Sequence, residues 1–212
     1  MKNTLIATVA VAAMAGVASG EIVNGDFSDG SNGWAQYGGS EGPYGVGAGF
    51  GFDNDSNAVV AYGSFSGTPN YSGYTQNISG DYGAGDVISF GGQMYIEGGK
   101  ELFGGNNASI QITFWYGDGS AFGFANAAGT LTSSSETMNV YTVDADYTIT
   151  EDNMNGLARI SLDFSYVQTD IPGKGGESGA AWATNMYANV VPAPGALALL
   201  GVAGLAGRRR RG

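Results

Sequence analysis

The chain has 212 residues, among them 38 Gly, 12 Tyr and 10 Phe, and it contains neither Cys nor His. Without Cys there is no disulfide framework, thiol nucleophile or Cys-ligated zinc, and without His the Ser–His–Asp chemistry and imidazole pH switches go as well. All 19 acids, but only the bases Lys100, Arg159 and Lys174, lie between Glu21 and Glu177, a balance that repels phosphate backbones and excludes nucleic acid as an expected partner.

Residues 1–20 read as a secretory signal peptide. Lys2 supplies a positive start, residues 5–17 are apolar, and Ala18-Ser19-Gly20 places small side chains at a cleavage point before Glu21. The apolar run is shorter than the roughly 20 residues of a membrane span.

Residues 21–190 form one expected domain, and no stretch in it carries helical apolar spacing. Period-two alternation dominates instead, the mark of half-buried strands. In chain order the pattern predicts strands near 33–37, 58–62, 74–78 and 87–96, the last with Ile88, Phe90, Met94 and Ile96 on one face. Further strands follow near 109–116, 136–150 and 157–167. In 109–116, Ile110, Ile112 and Phe114 alternate with Ser109, Gln111 and Thr113; in 157–167, Ile160, Leu162, Phe164 and Tyr166 oppose Arg159, Ser161, Asp163 and Ser165. A final strand places Trp182, Met186, Ala188 and Val190 together. Turn chemistry such as Gly80-Asp81-Tyr82-Gly83, Gly104-Gly105-Asn106-Asn107 and Glu151-Asp152-Asn153 separates them. About eight strands without helices predict an all-β domain, an antiparallel β-sandwich of jelly-roll type.

A sugar site would need aromatic faces for stacking, with amides or carboxylates beside them for the hydroxyls. Trp34, Tyr37, Tyr44, Tyr71, Tyr74 and Tyr82 are expected near loops. Trp34 is assigned to packing, and Tyr44, Tyr71 and Tyr74 are the ligand-binding candidates. Asp53-Asn54-Asp55-Ser56-Asn57 alternates oxygen ligands as a calcium loop would, but Ala58 and Ser64 stand where an EF-hand needs Gly and Glu. Asp144 and Asp146 share one face of a strand and Glu151 adjoins Asp152; neither spacing sets two acids across a cleft, so glycosidase chemistry is not expected.

Asn24-Gly25-Asp26-Phe27-Ser28, followed by Gly33-Trp34, resembles the opening of galactose-binding-like, carbohydrate-binding-module-type jelly rolls. Their last strand carries an Asp in a short apolar run; here Ala183-Thr184-Asn185-Met186-Tyr187 has Asn at that place. The resemblance implies the same sandwich, and it makes Asn24, Asp26 and Asn185 candidates for the structural Ca2+ site that some related domains carry between terminal strands. No other cofactor is expected.

The tail, residues 191–212, has three parts: Pro192-Ala193-Pro194, an apolar stretch over 196–207, and Arg208, Arg209, Arg210 and Arg211. Even about 15 helical residues, slightly more than this stretch holds, would reach only about 22 Å, less than the ~30 Å of a hydrocarbon core, and the arginines would stay on the cytoplasmic side. This order resembles the PEP-CTERM sorting signal of Gram-negative bacteria, with Ala193 in place of the usual Glu. The resemblance implies a short hydrophobic C-terminal helix, transient membrane anchoring, an exosortase-type processing enzyme as partner, and delivery to the cell surface or beyond. The combined reading is an exported, non-catalytic envelope or extracellular-matrix protein with polysaccharide as its ligand. A secreted polysaccharide hydrolase and a calcium-dependent adhesin are the alternatives.

Overall fold

Strict alternation builds the central strands of the domain. The computed structural model describes residues 20–53, 57–63, 69–117, 125–171 and 179–193. The leader up to residue 19, Pro194 and the rest of the tail with its four arginines, residues 54–56 of the alternating Asp/Asn loop and the 172–178 segment lie outside them. The elements are β1 (Gly20–Glu21), β2 (Ala35–Tyr37), β3 (Ser40–Tyr44), α1 (Gly47–Phe50), β4 (Ala58–Tyr62), β5 (Asn70–Asn77), β6 (Val87–Tyr95), β7 (Asn107–Tyr116), β8 (Ala125–Leu131), β9 (Val140–Thr148), α2 (Glu151–Met154), β10 (Leu157–Gln168) and β11 (Ala180–Val191).

Two antiparallel sheets face each other. One runs β3-β4-β11-β6-β9 with β1 added to β11; the other runs β2-β5-β10-β7-β8. The alternating apolar sets meet between them: Ile160, Leu162, Phe164 and Tyr166 of β10, Ile110, Ile112 and Phe114 of β7, and Ile88, Phe90 and Met94 of β6 are all fully buried. Among the described residues no helix is long and apolar enough to cross a membrane.

The structure adds three strands to the eight expected. β1 is only a pair of residues, β3 interrupts its pattern with Gly42-Pro43, and β8 is built from Ala, Gly and Asn, which favour strands weakly. α2 occupies an expected turn, because Thr150 and Asn153 cap one another's backbone N–H groups and close a single helical turn.

The last strand departs from its expected face. The β11–β6 register shifts between Thr184 and Tyr187, at Asn185 with φ of 50°. That extra residue changes the parity, as a β-bulge does. Met186, Ala188 and Val190 point inward with Ala181 and Ala183, whereas Trp182 points outward, where Phe50 and Tyr44 pack against it. α1 and the segment after it thus cover one end of the outer face of the six-stranded sheet, with Phe50 stacked on Tyr95 at 4.4 Å between centroids.

At one end of the sandwich the cross-strand pair Gln168 and Asn70 points inward. Gln168 is fully buried, and among the described residues neither of its polar atoms has a hydrogen-bond partner, nor does Asn70 Oδ1. Orphaned buried groups cost about 1–3 kcal/mol each. Gln168→Met, of similar shape, should therefore raise the urea midpoint without changing the m-value. A lower midpoint would mean that Gln168 has a partner in solution.

Candidate functional site

The uncovered half of the six-stranded sheet's outer face is organised in rows across three strands. Tyr187 of β11, Gly91 of β6 and Asp144 of β9 pair in one row, and Asn189, Ser89 and Asp146 in the next. Gly91 puts no side chain between Tyr187 and Asp144. A Cβ there would lie 2.1 Å from the Val143 carbonyl oxygen, so the close approach of β6 and β9 requires glycine. Thr142, Asp144 and Asp146 alternate outward along β9 and are exposed. Tyr187 presents its ring at 38% exposure between buried Met186 and Ala188.

Where the covering segment ends, it leaves a step, and a cavity of about 300 Å3 opens there, lined by Asp53, Gly92, Gln93, Thr142, Val143, Asp144, Asn185 and Tyr187. Gln93, only 5% exposed, holds the step together. Its Nε2 donates to Asp53 Oδ2 at 2.7 Å and to Thr142 Oγ1 at 3.2 Å. Its Oε1 accepts from Asp53 N at 3.1 Å and from Asn185 Nδ2 at 2.8 Å, and Asn185 Nδ2 also donates to Asp53 O. The bulge that re-aims β11 places Asn185 in this network. Partial burial, followed by the charges of Asp144 and Asp146, pushes the Tyr187 hydroxyl above its ordinary value, so the phenol stays protonated and able to donate.

The residues expected to bind ligand lie apart. Tyr74 is fully buried on the inward face of β5, edge-on to Phe27, and donates to Gly42 O; its ring has no face open to a sugar. Tyr44 and Tyr71 are exposed, but both sit in strands rather than loops, Tyr44 at the end of β3 and Tyr71 on β5 of the opposite sheet. Tyr44 donates to Glu41, as does Tyr62. These two bonds hold the Glu41 carboxyl below its ordinary range.

The metal candidates are likewise engaged with protein groups. Asn24 donates through Nδ2 to Gly30 O and Asn32 O and accepts from Asp29 N, while Asp26 accepts from Ser28 N and Oγ. Met186 N donates to Gly25 O at 2.9 Å, which brings the opening loop against β11. The Asn185 side chain, however, turns to Asp53 and Gln93. Among the described residues no group of three or more Asp or Glu side chains is placed to hold a metal ion.

Of the sorting motif, Pro192 and Ala193 are described. Asp86, mostly buried, accepts from Gly83 N through Oδ2 and from Ala193 N through Oδ1, both at 2.8 Å. The base of the tail is thus fastened to the start of β6.

The outer face of the five-stranded sheet carries a different polar feature. Asp163, 4% exposed, accepts from Thr113 Oγ1 at 2.5 Å and from Ser161 Oγ at 3.1 Å. Burial dominates and pushes its carboxyl above 3.8, while the Thr113, Thr75 and Ser161 hydroxyls and then the Arg159 charge oppose the shift. The folded chain therefore holds this proton more readily than the unfolded chain. The stability Asp163 contributes is full below 3.8 and is lost as pH rises through the folded value. Asp163→Asn should remove that loss. Paired urea titrations should show the variant's advantage largest at neutral pH and shrinking as pH falls toward 3.8.

No family model matches the chain, and no curated protein matches it. Solved structures do resemble it. The CBM22-2 xylan-binding domain from Paenibacillus barcinonensis Xyn10C gives a TM-score of 0.53 at 10% identity over 79% of this chain and 96% of that one. The tandem CBM22-1-CBM22-2 domain of the same protein gives 0.53 at 9% identity over 78% of this chain and 49% of that one. This chain therefore spans about half of the tandem and nearly all of the single module. The likeness is one of fold: an all-β sandwich of two antiparallel sheets.

Proposed function

We propose that this is an exported, non-catalytic protein of the cell envelope or extracellular matrix, delivered by its PEP-CTERM-like tail, and that the groove on the six-stranded sheet binds polysaccharide. One observation carries the binding reading: an open cavity joins a half-exposed tyrosine ring to a wall of amide, hydroxyl and carboxylate groups. A sugar ring offers an apolar face for the former and hydroxyls for the latter. The xylan-binding module of like fold adds support at the level of the class of ligand. Asp144 and Asp146 lie side by side on one strand and do not face each other across the groove; Asp53, on the opposite wall, has its carboxylate held by Gln93 Nε2, and we read the three as hydrogen-bonding groups rather than as an acid and nucleophile pair.

Affinity electrophoresis of the full chain in gels containing xylan, other neutral polysaccharides or amino-sugar polysaccharides tests the reading. Retardation by at least one, lost in Tyr187→Ala, is expected; uniform mobility in all gels would sink it. Sorting is tested by intact-mass measurement of the protein recovered from its host, which should lack residues 1–20 and show processing in the tail.

The fastening at Asp86 bears on that processing. Charge-assisted hydrogen bonds are worth about 1.5–3 kcal/mol, so Asp86→Ala should raise the opening of the tail base by roughly tenfold or more. Limited proteolysis near Ala193 should speed up accordingly, with the global unfolding midpoint little changed. Equal cleavage rates would show that the tail base is already open.

A further inference from the structure

We infer that the polysaccharide taken by this groove is cationic, an amino-sugar polymer with free primary amines. The inference rests on the reading of the groove as a glycan site and names its ligand class. An ammonium group is recognised by an aromatic face together with carboxylates that accept its N–H donors, and the cavity supplies both. The Tyr187 ring and Asp144 flank the bare Gly91 position in one row, and Asp146 follows on the same face of β9, about 7 Å further along the strand. Both acids are exposed. Asp146 spends Oδ1 on Ser89 Oγ at 2.5 Å. Asp53 brings a third carboxylate to the opposite wall, oriented by Gln93.

No Lys or Arg belongs to the cavity lining. A uronate or sulfated polymer would meet the like charges of Asp144 in the cavity wall and of Asp146 beyond it on the same face, which discriminates against it by repulsion. A neutral polymer could stack on Tyr187 but would bring no counter-charge to Asp144 and Asp146. The amine-bearing polymer alone answers the ring and the acids together.

The full chain is titrated calorimetrically with a glucosamine hexamer, its N-acetylated counterpart and xylohexaose, in mildly acidic buffer where the sugar amines are protonated. The glucosamine hexamer should bind about tenfold or more tighter than the other two, with a preference that weakens as salt is added. Asp144→Asn with Asp146→Asn should bring it down to the N-acetylated level. Tyr187→Ala should weaken all three ligands, and Glu151→Gln with Asp152→Asn, on the exposed α2, should leave them unchanged. Equal affinity for the three hexamers would overturn the cationic ligand and leave glycan binding standing; no binding of any hexamer would remove both. Glucosamine binding that survives Tyr187→Ala and the Asp144/Asp146 pair would be diffuse attraction to an acidic surface, and would also overturn it.

Discussion

Phe27→Ala should lower the stability of the domain by about 3–5 kcal/mol and reduce Tm by about 2–4 °C for each of those kilocalories. The ring is fully buried, 5.3 Å from the Trp34 ring and 5.8 Å from that of Tyr74. It reaches that position because its backbone adopts φ of 56°, a conformation costly for a bulky side chain. The surrounding loop over-determines it. Asn24 satisfies the loop carbonyls of Gly30 and Asn32, its own carbonyl accepts from Phe27 N and Trp34 Nε1, and Gln76 binds both the N–H and the carbonyl of Val23. Alanine keeps the strained backbone and forfeits the burial that offsets it. Thermal unfolding followed by circular dichroism reads the loss directly. A drop of only a degree or two would show that the opening loop is packed independently of the core.

The opening motif was recognisable as a motif through its resemblance, with Asn24 and Asp26 read as metal candidates; that Asn24 closes the loop and Phe27 fills the sandwich end emerges from the structure. Strands β6, β7 and β10 were legible because alternation is a property of one segment. Faces were read less well wherever parity breaks. Trp182 and Met186 are four residues apart and would share a face of a regular strand; the bulge at Asn185 separates them. Tyr71 and Tyr74, three apart on β5, lie on opposite faces for the simple reason that the period is two. The groove depends on pairing between three strands distant in the chain. Tyr187 meets Asp144 only through Gly91, and nothing near any of the three in sequence announces the others. One signal was present: Thr142, Asp144 and Asp146 alternate with Val143, Ala145 and Tyr147, which identifies a solvent-facing stripe. What the stripe faces is settled only by the sheet order. Asn185 was singled out as a metal candidate, and the structure finds it in the cavity wall.

Gln93→Leu and Tyr187→Ala should both weaken glycan binding more than tenfold, yet for separable reasons. Tyr187 contributes an exposed ring, and an aromatic anchor at a binding site is commonly worth 2 kcal/mol or more, roughly 30-fold in affinity. The ring lies outside the hydrophobic core, so Tm should fall much less than in Gln93→Leu. Gln93 is nearly buried and both its polar atoms are bonded to protein groups, so it acts on the shape of the cavity. Leucine at that position would leave Asp53 N, Asp53 Oδ2 and Asn185 Nδ2 each without the Gln93 partner they now have. At about 1–3 kcal/mol for each group that cannot turn to water, the segment from α1 to Asp53 should come away from β6. That would open the step that shapes the cavity, lowering Tm and affinity together. Gln93→Glu restores the acceptor for Asp53 N and Asn185 but sets a second carboxylate against Asp53 Oδ2, so it should recover Tm only in part and improve as pH is lowered. Hydrogen exchange of the Asp53 amide in the two variants distinguishes the cases: fast in Gln93→Leu, unchanged in Tyr187→Ala. Slow exchange in both, with affinity lost in both, would mean that Gln93 itself contacts the sugar.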